Sequence, residues 1–86
     1  MNWTVLWLPS AEQDLASVWL NASDRNAVAA AADELDRRLQ RDPLTVGESR
    51  SSNVRLAFVP PLVALFRVDP ATQTVFVMRV SRSGRS

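Results

Sequence analysis

The chain of 86 residues contains no cysteine, histidine, lysine or tyrosine. Without cysteine it forms no disulfide, and without cysteine or histidine it lacks the usual ligands of a zinc site. Every cation is an arginine, whose pKa stays above about 12, so no cationic side chain exchanges protons readily near neutral pH. General acid–base chemistry would have to use one of the nine carboxyl groups. We therefore expect no metal and no cofactor, and either a carboxylate-dependent reaction or a protein that acts by binding alone.

Long apolar runs are also missing. No run approaches the roughly 18–20 residues that cross a bilayer, and the first residues lack the basic segment that opens a secretory signal. We expect a cytoplasmic protein without a membrane partner. The length predicts one domain over residues 1–86, of which the polar residues 82–86 form a flexible tail.

Charge is distributed unevenly along the chain. Residues 50–85 hold six arginines and one acid, a local net charge of +5, whereas residues 1–49 hold four arginines and eight acids, a net charge of −4. This asymmetry indicates a polyanionic or acidic partner. It is equally compatible with two halves that neutralise each other.

The first half reads as a strand followed by two helices. Residues 3–8 alternate as a strand that we expect to be buried on both sides. Ser10 has the chemistry of a helix N-cap, and Glu12 and Asp14 then stand in the first turn, where the helix dipole favours acids. A second helix is predicted from about Asp24 to Gln40, and the two helices form an antiparallel hairpin. Residues 44–53 read as a long irregular loop.

The second half reads as three strands, over residues 54–59, 62–68 and 75–81, with apolar residues at every second position. One face should receive the helices, and the opposite face should gather Arg55, Arg67 and Arg79. The sequence therefore predicts an α+β domain. It consists of an N-terminal strand, a helical hairpin and a three-stranded antiparallel meander, with the helices on one face of a four-stranded sheet.

Short motifs follow one another between Trp3 and Val80 in a definite order: Trp3-x-Val5-x-Trp7-x-Pro9, Ala11-Glu12-x-Asp14-Leu15, Trp19-Leu20, Asp24-Arg25-x-Ala27-Val28, Asp42-Pro43 and Gly47-Glu48-Ser49-Arg50. In this order, and in a chain of this size, they resemble the RelE/ParE family of toxins from bacterial type II toxin–antitoxin pairs. The resemblance implies a helical hairpin on a curved sheet and a cytoplasmic protein that a cognate antitoxin neutralises.

The RNA-cleaving branch of that family holds messenger RNA at the ribosomal decoding site on a basic sheet surface. Arg55 matches a basic position of its second strand, and Arg82 falls near the basic position after its last strand. Ala57 and Val63 stand where further cations are expected, and the tail has no tyrosine or histidine. On this resemblance the predicted nucleic-acid-binding residues are Arg50, Arg55, Arg67, Arg79 and Arg82, and the predicted catalytic residues are Arg55, Arg79, Arg82 and, as the base, Glu48.

Two other activities stay open. A DNA gyrase poison of the ParE branch needs no catalytic residues of its own and fits the missing side chains better. A toxin-like module that has lost its activity would only bind a partner protein. In each case the expected partner is an antitoxin, whose amphipathic helix or added strand brings acids to the arginine-bearing face.

Overall fold

Two helices pack on one face of a five-stranded sheet in the computed structural model, which describes residues 2–83. The elements follow one another as β1 (Thr4–Trp7), α1 (Pro9–Asn21), α2 (Arg25–Arg41), a 3₁₀ turn (Pro43–Thr45), β2 (Glu48–Ser51), β3 (Val54–Val59), β4 (Leu62–Asp69) and β5 (Thr74–Arg82). The predicted α+β class, helical hairpin and meander are confirmed.

The strands lie in the order β1-β5-β4-β3-β2, so that β1 and β2 form the two edges. β1 runs parallel to β5, and the other neighbours are antiparallel. The predicted number of four strands was wrong, because β2 lies inside the segment that the sequence indicated as a loop. Its residues, Glu-Ser-Arg-Ser, are all exposed and lack the β-branched alternation of a strand, so only backbone pairing with β3 defines it.

The core lies between the helices and the inner face of the sheet, which is the face turned toward them. β4 is its centre, because Leu62, Ala64, Phe66 and Val68 are all buried. Helix α2 buries one stripe against the sheet at helical spacing, made of Val28, Ala31, Leu35 and Leu39. Burial of these side chains is the main stabilisation of the fold.

Strand β1 is covered on one side only. Val5 and Trp7 are half-buried on the inner side, and the Trp7 Nε1 donates a hydrogen bond to Asp36 Oδ1 at 3.2 Å. Leu6 points away and is 47% exposed. The expectation of burial on both sides was wrong, because the helices cover only one face of the sheet.

Helix α1 begins one residue before the predicted cap. Its N-cap is Leu8, without a side-chain hydrogen bond, and Pro9 is the first helical residue. Ser10 lies inside the first turn, and its Oγ donates to the carbonyl oxygen of Met78 at 2.7 Å. The predicted cap at Ser10 was therefore wrong. At α2 the N-cap is Asp24, whose carboxylate accepts a hydrogen bond from the Ala27 amide at 3.0 Å.

A β-bulge interrupts the alternation of β5. Leu65 pairs with Arg79 and Phe66 pairs with Val77, so Met78 is an extra residue without a partner on β4. Val80 is consequently buried on the same inner side as Val77, although strict alternation from Val77 predicts the opposite side. β5 also continues through Arg82, which was expected in a flexible tail, whereas residues 84–86 of that tail lie outside the described residues.

No helix within residues 2–83 combines the length and the apolar character that crossing a membrane requires.

Two phenylalanines on neighbouring strands test the placement of the core. Phe66 is fully buried, whereas Phe58 is 49% exposed. Replacing Phe66 with Ala is expected to cost about 3–5 kcal/mol of unfolding free energy, a large part of what a domain of this size has. Phe58→Ala, as the matched control, should cost less than about 1 kcal/mol. Urea unfolding followed by circular dichroism measures both, and equal losses would contradict this assignment of the core.

Candidate binding surfaces around the arginines

The face of the sheet turned away from the helices is largely apolar, and no helix of residues 2–83 packs on it. We call it the outer face. Its register rows include Val54, Leu56, Phe58, Val63, Leu65, Arg67 and Phe76, with Glu48 beside them on β2 and Arg79 and Ser81 on β5. Most of these side chains are half-buried by their neighbours, and Phe58 is exposed. The outer face therefore offers a contiguous apolar area with a cation at one end.

Like the backbone position of Arg79, which pairs with Leu65, Arg67 lies on the outer face as predicted. Its guanidinium carbon stands 4.6 Å from the centre of the Phe76 ring, within the range of a cation–π contact. It makes no side-chain hydrogen bond or ion pair with the described residues. All of its donors are available to a ligand.

Arg55 lies on the inner side of the sheet. It pairs with Phe66 and shares the side of Ala57, so its predicted place on the outer face was wrong. Its Nε donates to the Val46 carbonyl at 2.8 Å and its Nη2 to the Gly47 carbonyl at 3.0 Å. The side chain thus fastens the segment before β2 to β3.

Gly47 lets that segment approach the sheet. Its φ is +70°, and a Cβ at this position would lie 2.1 Å from the carbonyl oxygen of Leu56. Both the left-handed backbone and the close approach require glycine. The position of the Arg55 guanidinium therefore depends on a residue without a side chain.

Arg79 is held by an acid of helix α1. Its Nε and Nη2 donate to the Asp14 Oδ2 and Oδ1 at 2.8 and 3.1 Å, and Oδ2 also accepts from the Val80 amide at 2.9 Å. The hydrogen bond from Arg79, followed by that from Val80, lowers the pKa of Asp14, and the same pairing raises the pKa of Arg79. The Arg79 side chain is nevertheless 66% exposed, against 18% for Asp14.

Ser10 and Asp14 close an open stretch of strand β5. β1 pairs with β5 only as far as Val77, and beyond that residue the edge has no strand partner. Ser10 binds the Met78 carbonyl there and Asp14 binds the Val80 amide. The sequence indicated Asp14 only as a complement of the helix dipole. The signal for its actual role is the spacing of Ser10 and Asp14, which lie one helical turn apart beside the buried Ala11.

The remaining predicted residues lie at separate places. Arg82 lines a cavity of about 410 Å³ with Val18 and Pro61, at the end of β5. Arg50 is exposed on the edge strand β2, and its Nη2 stands 3.5 Å from Glu48 Oε1. The expectation that Arg55, Arg67 and Arg79 gather on one exposed face was therefore wrong for Arg55, whose side is set by the core. Arg67 and Arg79 hold positions on the outer face, and the Arg79 guanidinium turns from there toward α1.

The predicted catalytic residues do not converge either. Glu48 pairs with Leu56 at the β2 edge, whereas Arg79 pairs with Leu65 on β5. These two positions are three strand spacings apart, about 14 Å at about 4.8 Å per spacing. A catalytic role for these residues stays a prediction, and the backbone alone does not bring the carboxylate to that guanidinium.

A further concave surface lies between the two helices. It is a cavity of about 490 Å³ whose apolar lining includes Leu15, Trp19 and Ala32, and the acids at its margin are Glu12 and Asp33. The Trp19 side chain is 40% exposed, and the Arg25 guanidinium carbon lies 4.6 Å from its ring centre. This cavity carries no cation of the predicted site.

The chain matches no protein-family model and no curated protein sequence. Solved structures do match it. A chain of the RelBE2 toxin–antitoxin complex from Mycobacterium tuberculosis is similar with a TM-score of 0.81 and 24% identity, over 99% of this chain and 95% of that one. The isolated E. coli RelE toxin gives 0.70 and 14%, over 98% and 87%. The chromosomal ParDE system from P. aeruginosa gives 0.65 and 18%, over 95% and 97%.

The fold of this chain is therefore a RelE/ParE-like toxin fold, as the sequence motifs indicated. The similarity includes structures of both the RelE and the ParE type.

The Asp14 contacts predict a pH dependence of stability. Because the folded state holds this carboxylate at a pKa below the ordinary 3.8, its stabilisation is fully present above that value and is lost as the pH falls through the lower pKa of the folded state. Asp14→Asn should lower the thermal unfolding midpoint at pH 7 and flatten its decline below about pH 4. Asp33→Asn, which removes an acid without a side-chain partner in residues 2–83, is the control. Parallel pH profiles of the wild type and Asp14→Asn would contradict the role of this contact.

Proposed function

We propose that this chain is the toxin of a toxin–antitoxin pair and that it acts by binding, with the outer face as the surface that its antitoxin covers. The observation that carries the proposal is a RelE/ParE-like fold whose outer face is apolar and without a helix on it. The similar structures include toxin–antitoxin complexes, among them RelBE2.

The composition of the outer face defines the chemistry of the antitoxin segment. Leu56, Val63 and Leu65 form an aliphatic centre, which suits apolar side chains of a protein. Phe58 is the exposed aromatic anchor at one end, and Arg67 is the free cation at the other. The complementary segment is an amphipathic helix or strand with apolar residues toward the centre and an acid opposite Arg67.

A partner encoded beside this gene tests that surface. Phe58→Ala should weaken its binding about 10- to 100-fold, because an exposed aromatic anchor that a partner buries is worth about 1.4–2.8 kcal/mol. Leu20→Ala is the matched control, since Leu20 is 61% exposed on helix α1. Isothermal titration calorimetry with the purified neighbouring protein measures both affinities. Equal affinities for the two variants would place the antitoxin elsewhere.

Action by binding is supported by the inventory of side chains. Cleavage of RNA through its 2′-hydroxyl needs a proton acceptor close to the group that stabilises the phosphate. Glu48 is the one acid predicted for that task, and it lies on the strand edge opposite the Asp14–Arg79 pair. The arginines can neutralise phosphates, and they do not exchange protons.

Ribosome-associated messenger RNA is the target that we favour. Arg50, Arg67, Arg79 and Arg82 belong to strands, are exposed and leave donors available. Such cations bind a polyanion with an affinity that falls steeply with salt.

DNA gyrase is the second candidate. The similarity to the ParDE structure and the absence of histidine, lysine and tyrosine from the sequence support it. A toxin of that kind needs only a surface that binds protein. The outer face provides one.

One set of assays separates the targets. In a cell-free translation reaction the protein should block synthesis and leave the messenger intact, with inhibition that weakens steeply between about 50 and 200 mM salt. Cleaved messenger would instead support a ribonuclease that uses Glu48, which Glu48→Gln would then inactivate. Normal translation together with inhibited gyrase supercoiling would instead identify gyrase as the target. No effect in either assay, and no effect on growth, would identify an inactive binding module.

A further inference from the structure

The ion pair between Asp14 and Arg79 leaves most of the guanidinium unused. Arginine has five N–H donors, and Asp14 occupies the Nε donor and one Nη2 donor. The edge formed by Nη1 and the second Nη2 donor remains, and it has the fork geometry that matches phosphate oxygens. With 66% of the side chain exposed, this edge is accessible to solvent.

We propose that Asp14 is a positioning residue, which holds the Arg79 guanidinium as a rigid bidentate receptor for a phosphate of single-stranded RNA. The inference rests on the proposed function, because it assigns a phosphate contact to the RNA that this toxin would bind. Asp14 itself does not touch the RNA. It fixes the orientation of the group that does.

The attachment of α1 to β5 does not by itself require this ion pair. Ser10 already binds the Met78 carbonyl, Ala11 is fully buried, and the Val80 amide satisfies one oxygen of Asp14. The contact with Arg79 is additional. It removes rotational freedom from a long exposed side chain, which is the part of an arginine–phosphate contact that costs conformational entropy.

The proposed function assigns a phosphate, and not a carboxylate of a protein partner, to this edge of the guanidinium. Arg79 pairs with Leu65, and Ser81 lies on the same side of β5, where it adds a hydroxyl donor. Arg82 pairs with the buried Leu62 and therefore lies on the other side of β5. The receptor thus consists of Arg79, with Ser81 as its polar neighbour.

Binding of a fluorescein-labelled RNA of about twelve uridines, followed by fluorescence anisotropy, tests the assignment. Asp14→Asn should bind about tenfold more weakly than the wild type, although it gains one positive charge, because the bidentate contact is lost. Glu34→Gln is the charge-matched control. It removes an acid that pairs with Arg37 and Arg38 on α2, and it should bind as well as the wild type or better.

A double-mutant cycle separates positioning from a general effect on the fold. In the wild-type background, Arg79→Gln should reduce the slope of log affinity against log salt by about 0.7, the value for one phosphate of a single strand. In the Asp14→Asn background the same change should alter the slope little. Arg79→Lys keeps the charge and the contact with Asp14, and it should still bind more weakly because it lacks the fork.

Three results would overturn the inference. The first is an Arg79→Lys variant that binds the RNA as tightly as the wild type, because the fork would then be unnecessary. A wild-type protein that does not bind the RNA but binds poly-L-glutamate would assign the surface to an acidic protein segment, and the RNA-directed function would fail with it. RNA binding by the wild type with no effect of Asp14→Asn would refute the positioning role alone.

Discussion

The unequal lengths of β1 and β5 are the constraint on which the rest of this molecule depends. β1 accompanies β5 from Thr74 to Val77, and β5 then continues to Arg82 without a strand on that side. Unpaired strand edges expose backbone donors and acceptors. Here the first turns of α1 take the place of the missing strand, because Ser10 and Asp14 bind Met78 and Val80. Helix α1 therefore covers the core and completes the sheet edge at the same time.

The acids of the first half of the chain do not neutralise all the arginines of the second half. Within residues 2–83, the ion pair Arg79–Asp14 is the one that joins distant parts of the chain. Glu34 pairs with arginines of its own helix, and Glu48 lies two residues from Arg50. Arg55, Arg67 and Arg82 form no ion pair in the part of the chain that the structure describes. Part of the basic character of the second half is thus available to a partner, although it is divided between an outer face and two strand edges.

The sequence was sufficient to predict the buried face of an element where one periodicity holds along the whole element. The stripe of α2 and the alternation of β4 follow directly from the spacing of their apolar residues. It was insufficient where one residue changes the register. Met78 adds a position to β5, so every later side chain changes sides, and no local feature of the sequence marks that residue. Arg55 was misplaced for a related reason, since a charged residue on the core side of a strand is acceptable only when distant backbone carbonyls receive it.

The closeness of apolar and cationic positions bears on how such a protein could be neutralised. Aliphatic side chains such as Leu65 have no favourable contact to offer a phosphate, and an exposed apolar sheet face is a liability unless a protein covers it. Arg79 pairs with Leu65 and turns its guanidinium toward Asp14 of α1, so its free donors lie at the margin of the outer face. A protein segment that covers Leu65 would therefore come close to Arg79. Neutralisation would then require only that this segment reach the margin of β5, where it would exclude a polyanion from the guanidinium.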